Sequence, residues 1–253
     1  MNPLSHKYGT YEKQKELLSM ISDVDLILRG NNIDYSLCGG SLLGAVRENG
    51  FIPWDDDMDI MVTRDGFNRL LKIFKQKETD LSYIVKRHLW VDSIYRKNGS
   101  DATTNQATID VFVMDNCPDN TIIRRIKVLL IKLLQGMMKE EQTYNGRSYL
   151  YRVCLWITHI LGKPFKVETK YRWYHSVAQI GNRKKTKYIT GYTDLYKTLT
   201  LRYAGDLFKS IIKHKFENVE LPITAEYDSY LRTQYGDYIT PPKEEDRVPM
   251  HSD

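Results

Sequence analysis

Four carboxylates in five positions, Asp55-Asp56-Asp57-Met58-Asp59, run without a break into the apolar Ile60-Met61-Val62. In an extended chain alternate side chains leave opposite faces, so Asp57 and Asp59 share one face while Met58 and Ile60 take the other. Two like charges side by side need a compensator. A hard divalent cation with oxygen ligands supplies one, and Mg2+ held by a few carboxylates together with substrate phosphates is a common arrangement for phosphoryl transfer. A calcium loop starting at Asp55 is excluded, because Ile60 stands where glycine is required and Gly66 where the bidentate glutamate should be.

A second strand reads from Thr108-Ile109-Asp110-Val111-Phe112-Val113, β-branched and aromatic apart from Asp110. An unpaired carboxylate among such neighbours is costly, so Asp110 is expected as a third ligand of the same cation. Upstream, Gly39-Gly40-Ser41 closes the short strand-like run Ile33–Cys38 and precedes Leu42-Leu43-Gly44-Ala45-Val46-Arg47. The glycine pair therefore reads as a strand-to-helix turn with Ser41 as N-cap, its free N–H groups and hydroxyl suited to phosphate oxygens. An anion cradle followed by an Asp-x-Asp strand and a third strand aspartate makes two halves of one site. The chain has no Walker motif, no G-x-G-x-x-G, no H-E-x-x-H and no G-x-S-x-G elbow around Ser41.

The remaining pattern predicts helices over Tyr11–Arg29 and from Thr63 through Phe74, with Thr63 as a cap, and a strand over Tyr83–Arg87. This mixture implies an α+β body with a mixed sheet and flanking helices over residues 1–118. Residues 119–190 read as a mainly helical insertion. There Ile122, Ile126, Leu129, Leu130, Leu133 and Met137 form one stripe, with Arg124, Arg125, Lys127 and Lys132 mostly off it, and a second apolar stretch spans Tyr149–Leu161. Residues 191–253 are expected to form short elements that pack back on the body.

Charge follows the same division. The 253-residue chain has a net charge of +5, yet the stretch from Asn120 to Thr190 carries fifteen basic and three acidic residues, or +12, leaving 22 basic and 29 acidic, or −7, for the rest. Three cysteines, Cys38, Cys117 and Cys154, without C-x-x-C spacing fit a reducing compartment. The first residues are polar and lead directly into Glu12, Lys13, Lys15 and Glu16, unlike a secretory signal, and no apolar run is long enough to span a bilayer. The expectation is a cytoplasmic protein, with peripheral contact at the inner face of the plasma membrane through the basic middle.

The run Cys38-Gly39-Gly40-Ser41-Leu42-Leu43-Gly44-Ala45-Val46-Arg47, with Gly50-Phe51-Ile52-Pro53-Trp54-Asp55-Asp56-Asp57-Met58-Asp59-Ile60, closely resembles the LicD family of phosphocholine transferases. That family is related to fukutin-related protein and has the nucleotidyltransferase fold. Ile109-Asp110-Val111-Phe112 matches its later strand aspartate, and Phe216–Pro222 with Tyr230–Tyr238 resembles its carboxyl-terminal pattern. The resemblance implies that Asp57, Asp59 and Asp110 hold Mg2+, or Mn2+ in its place, and that Gly39, Gly40 and Ser41 approach the nucleotide's phosphates. It also implies a CDP-activated alcohol such as CDP-choline as donor, a glycan hydroxyl as acceptor, free or lipid-linked, and CMP as leaving group. Asp110 is then the candidate proton acceptor, with Asp55 and Asp56 supporting at most. Arg47 would clamp a phosphate, and Trp54 would offer its face to choline's ammonium. Two other readings stay open: a nucleotidyltransferase that moves NMP from an NTP to a small molecule or RNA, and a non-catalytic module whose basic segment binds a polyanion or membrane, nucleic acid being the less favoured partner.

Overall fold

The computed structural model describes residues 3–77, 81–97, 106–139, 149–194 and 198–249. In chain order the elements are α1 (Tyr11–Gly30), β1 (Tyr35–Leu37), α2 (Gly39–Glu48), β2 (Met58–Thr63), α3 (Arg64–Gln76), β3 (Tyr83–His88), β4 (Val91–Arg96), β5 (Ile109–Cys117), α4 (Thr121–Met138), α5 (Tyr149–Gly162), α6 (Val167–Ala178), β6 (Tyr188–Gly191), β7 (Tyr203–Ala204), β8 (Ile211–Phe216), β9 (Val219–Thr224) and α7 (Tyr227–Tyr235). Helices and a mixed sheet alternate without a repeating unit, which is an α+β fold. The chain forms two compact units, one of residues 1–86, 92–114 and 206–253, the other of residues 87–91 and 115–205.

In the first unit the sheet order is β1-β2-β5-β4-β3. The alternation read from sequence decides how β2 lies: Met58, Ile60 and Val62 are fully buried, whereas Asp59 is only half-buried. β1 runs antiparallel to β2, β2 parallel to β5, and β4 antiparallel to β5. Thr63 ends β2 and caps α3, its hydroxyl accepting the Gly66 N–H at 3.1 Å. The strand β4 has no clear sequence signal, because neighbouring Asp92, Ser93 and Ile94 are all buried and the period of two is lost. It follows β3 through a tight turn in which Leu89 takes the left-handed conformation at φ +55°.

The C-terminal hairpin β8–β9 belongs to this unit, and the Thr224 N–H donates to Ser36 Oγ at 2.9 Å, tying β9 to β1.

The second unit is built on α4, α5 and α6. Trp90, Ile131, Leu134, Met138, Tyr174 and Tyr192 belong to its core, and β6 pairs with β5 and β7. Helices α4 and α5 approach closely at Gly136, where a β-carbon would collide with Thr158.

The helix read over this stretch forms as α4, and its apolar stripe divides along its length: Ile122, Ile126 and Leu129 are exposed, Met137 joins the core, and Lys127 is completely buried. The Lys127 ammonium donates to the carbonyls of Asn116 and Ile180, each at 2.9 Å, and sits 3.9 Å from the centre of the Tyr192 ring. An interior cation is tolerated because these acceptors replace its water. Lys127→Met keeps the length and strands both carbonyls, so it is expected to destabilise the fold by about 3 kcal/mol, measured by urea denaturation.

None of the three cysteines forms a disulfide; Cys38 and Cys117 are buried and Cys154 is exposed. The basic Arg147 and the acidic Glu140 and Glu141 of the charge count lie outside the described residues.

Candidate active site

The site is assembled where β1 turns into α2 beside the start of β2. Cys38 N–H donates to the Asp59 carbonyl at 3.1 Å, and the helix starts at once. This corrects the placement of the N-cap: Cys38 holds that position and Ser41 lies inside the first turn of α2. Gly39 takes φ +54°, a conformation that a side chain disfavours, and the helix begins three residues earlier than a cap at Ser41 would place it. Freed from capping, the buried Ser41 hydroxyl accepts the Asp59 backbone N–H at 2.8 Å, pinning the turn to the strand.

The glycines also make room for carboxylates. A β-carbon on Gly39 would lie 2.5 Å from Asp59 Oδ2, and one on Gly40 would collide with Asp55 Oδ2. Asp59 and Asp55 therefore sit against the amino end of α2, where unpaired amides and the helix dipole favour negative charge. The Gly39 N–H itself faces the Tyr230 hydroxyl at 3.5 Å, so α7 reaches the same turn.

Register brings the third carboxylate in. Asp59 pairs with Asp110 across the parallel β2–β5 ladder, and Ser93 pairs with Asp110 from the other side, so all three project from one face. Asp57 precedes β2 by one residue and is close enough to Asp55 for their side chains to share a hydrogen bond. Tyr95, two residues beyond Ser93, feels this charge: burial first and then the Asp110 carboxylate push its phenol above the ordinary value. Asp55 is shifted in the same direction. Desolvation, the Asp57 charge, a side-chain hydrogen bond with Asp57 and the Asp56 charge, in that order, hold it well above the usual carboxylate range. Asp55 thus lies close enough to Asp57 for the two carboxyl groups to share a hydrogen bond.

The loop before β2 is clamped by residues that carry no sequence signal of their own. Lys13 pairs with buried Asp56 at 3.0 Å, and Gln14, fully buried, donates to the carbonyls of Ile52 at 3.0 Å and Asp55 at 2.7 Å. Glu217, in the β8–β9 turn, accepts from Phe51 N–H at 3.2 Å, and its own N–H donates to Asn49 at 2.7 Å. Phe216 meets Phe51 edge to face, 4.8 Å between ring centres. Glu217→Ala removes the acceptor for Phe51 and is expected to cost about 1–2 kcal/mol, seen as a lower melting temperature.

Two further expected residues have partners of their own. Arg47 ends α2, eight residues from Gly39 and so about 12 Å along the axis; its Nε donates to Glu48 at 2.8 Å and one terminal nitrogen to the Tyr238 carbonyl at 3.4 Å. Trp54 precedes Asp55, yet its ring is already engaged, edge-on to Tyr8 at 5.7 Å and covered by the Arg247 guanidinium at 5.2 Å.

Among the described residues no three His, Cys, Asp or Glu side chains converge as a ready-made metal site. The carboxylates present suit a magnesium ion that draws its other oxygens from water and substrate phosphates, as that ion commonly does.

Residues 32–129, which hold every one of the aspartates above, match the family described as LicD/FKTN/FKRP, nucleotidyltransferase domain. They carry the LicD domain. Over 95% of its length the chain is 25% identical to the lipopolysaccharide cholinephosphotransferase LicD of Haemophilus influenzae, covering 95% of that protein. An uncharacterized protein of Rickettsia typhi is 39% identical over 57% of this chain and 42% of its own length, and one of Rickettsia prowazekii is 40% identical over 29% and 27%. The LicD match spans α2, β2 and β5 and ends within α4. Tyr230 and Glu217 lie beyond it and still reach its turn and loop.

Proposed function

We propose that this chain is a transferase that moves phosphocholine, or a similar phospho-alcohol, from a CDP-activated donor to a glycan hydroxyl, with CMP as the other product. The similarity to the Haemophilus cholinephosphotransferase supports the class of reaction, and lipopolysaccharide or a related cell-surface glycan is the acceptor it suggests. The observation that carries the reading is the Asp59–Asp110 pair, in register on parallel strands beside the Gly39–Ser41 turn.

Asp57, Asp59 and Asp110 would hold Mg2+, which supplies charge neutralisation for the donor's pyrophosphate. Asp110 accepts the proton of the attacking hydroxyl as it approaches phosphorus. Gly40 and Ser41, at the amino end of α2, contribute backbone N–H groups to a donor phosphate.

Purified protein, Mg2+ and a panel of CDP-alcohols test this. Release of CMP from CDP-choline, CDP-ethanolamine, CDP-glycerol or CDP-ribitol, stimulated by a glycan acceptor, is expected. Release of pyrophosphate from NTPs with no turnover of CDP-alcohols would instead make the chain a nucleotidyltransferase.

A further inference from the structure

The exposed stripe of α4 is not an isolated irregularity. Ile122 is 69% exposed, Ile126 52% and Leu129 65%, and their spacing puts them on one side of the helix. The adjacent α5 does the same with Tyr149, Trp156, Ile157, Ile160 and Leu161, all exposed. Single exposed apolar side chains are ordinary, but rows of them on two neighbouring helices mark a surface that meets something other than water. The burial of Lys127 strengthens the point, because α4 keeps a cation inside while Ile122, Ile123 and Ile126 face out.

Charge indicates the occupant. Arg125, Arg152, Lys163, Lys166 and Arg172 are exposed on these helices, on α6 and in the connection between α5 and α6. Arg124, Arg125 and Arg202 line a pocket of about 330 Å³ at the amino end of α4. A second copy of the chain would bring the same positive excess against itself, whereas an anionic bilayer complements it. No helix among the described residues is long and apolar enough to cross a membrane, which leaves a helix pair lying in the interface with Trp156 and Tyr149 at headgroup depth.

We propose that the outer face of α4 and α5 docks on the surface of an anionic lipid bilayer, its apolar rows dipping below the headgroups and its arginines and lysines on lipid phosphates. This inference is independent of the transferase reading.

Vesicle flotation of the full chain tests it, with phosphatidylcholine alone against an equal mixture of phosphatidylcholine and phosphatidylglycerol. Binding to the mixture, weakened by salt, is expected. Leu129→Asp should reduce it about tenfold or more, and Arg125→Ala about fivefold. Both positions are exposed, so folding is expected to survive, and circular dichroism checks that it does. A second readout needs no substitution: brominated lipids should quench tryptophan fluorescence, and Trp156→Phe should remove much of the quenching. Absence of binding at low salt, binding indifferent to Leu129→Asp, or a solution dimer that Leu129→Asp splits into monomers would each overturn the proposal.

Discussion

Asp59→Asn is expected to lower the rate of CMP release by about a thousandfold or more at saturating donor, with the melting temperature unchanged or slightly raised. The amide keeps the shape of the carboxylate, so the Ser41 hydroxyl can still accept the backbone N–H of residue 59 and β2 can still pair with β5. What disappears is one negative charge from a cluster of like charges next to the first turn of α2, and easing that repulsion does not harm the fold. Chemistry suffers because the position in register with Asp110 no longer has the hard anionic oxygen that a magnesium ion prefers. Asp65→Asn is the control: this carboxylate is exposed in the first turn of α3 and away from the β2–β5 pair, and its loss should leave turnover within about twofold. Initial rates with thermal melts on both variants decide the matter. An Asp59→Asn protein within tenfold of the unaltered chain would mean that the aspartate pair is not the reacting centre.

How far this site could be read from sequence depends on the distance over which each feature is encoded. The alternation in Asp57–Val62 is local, and within β2 it placed Met58, Ile60 and Val62 in the core, although Met61 on the opposite face is buried as well. The β-branched run around Asp110 was equally local. Their pairing was not, because each strand's pattern fixes which residues share a face, while which of them stand opposite also depends on the long crossover that joins parallel strands. Ser41 shows a local rule overridden: serine before an apolar run is a good cap, but Gly39 in the left-handed region starts the helix sooner and leaves the hydroxyl to the strand. Gln14, Lys13 and Glu217 act on the loop across long sequence separations; nothing around Gln14 and Lys13 distinguishes them from ordinary surface residues, and the pattern around Glu217 does not say which loop it meets. The stripe on α4 is a different case. Periodicity shows which face of a helix is apolar, and a soluble core is only one of the places where such a face can go. Lys127 falls on the polar side of that pattern, and its buried position depends on two carbonyls and an aromatic ring supplied by other elements of its unit.

Gly39→Ala separates crowding from backbone strain. Alanine at φ +54° pays about 1 kcal/mol for the left-handed conformation, and its β-carbon would stand 2.5 Å from Asp59 Oδ2, so the carboxylate has to move. Displacing a reacting group by about 1 Å can cost about a hundredfold in rate, and a loss of that size in kcat is the expected result. Gly236→Ala supplies the comparison, since Gly236 has φ +72° and open space where a β-carbon would go. At ψ −113° its torsions are costlier still for a residue with a β-carbon, so a loss of about 1–3 kcal/mol in urea denaturation is expected, with turnover almost unchanged. The two variants together distinguish a glycine kept for its torsion from one kept for the space beside a carboxylate. Equal losses of activity in both would trace the effect to general destabilisation, and full activity in Gly39→Ala would show that the position of Asp59 against α2 is not what the reaction needs.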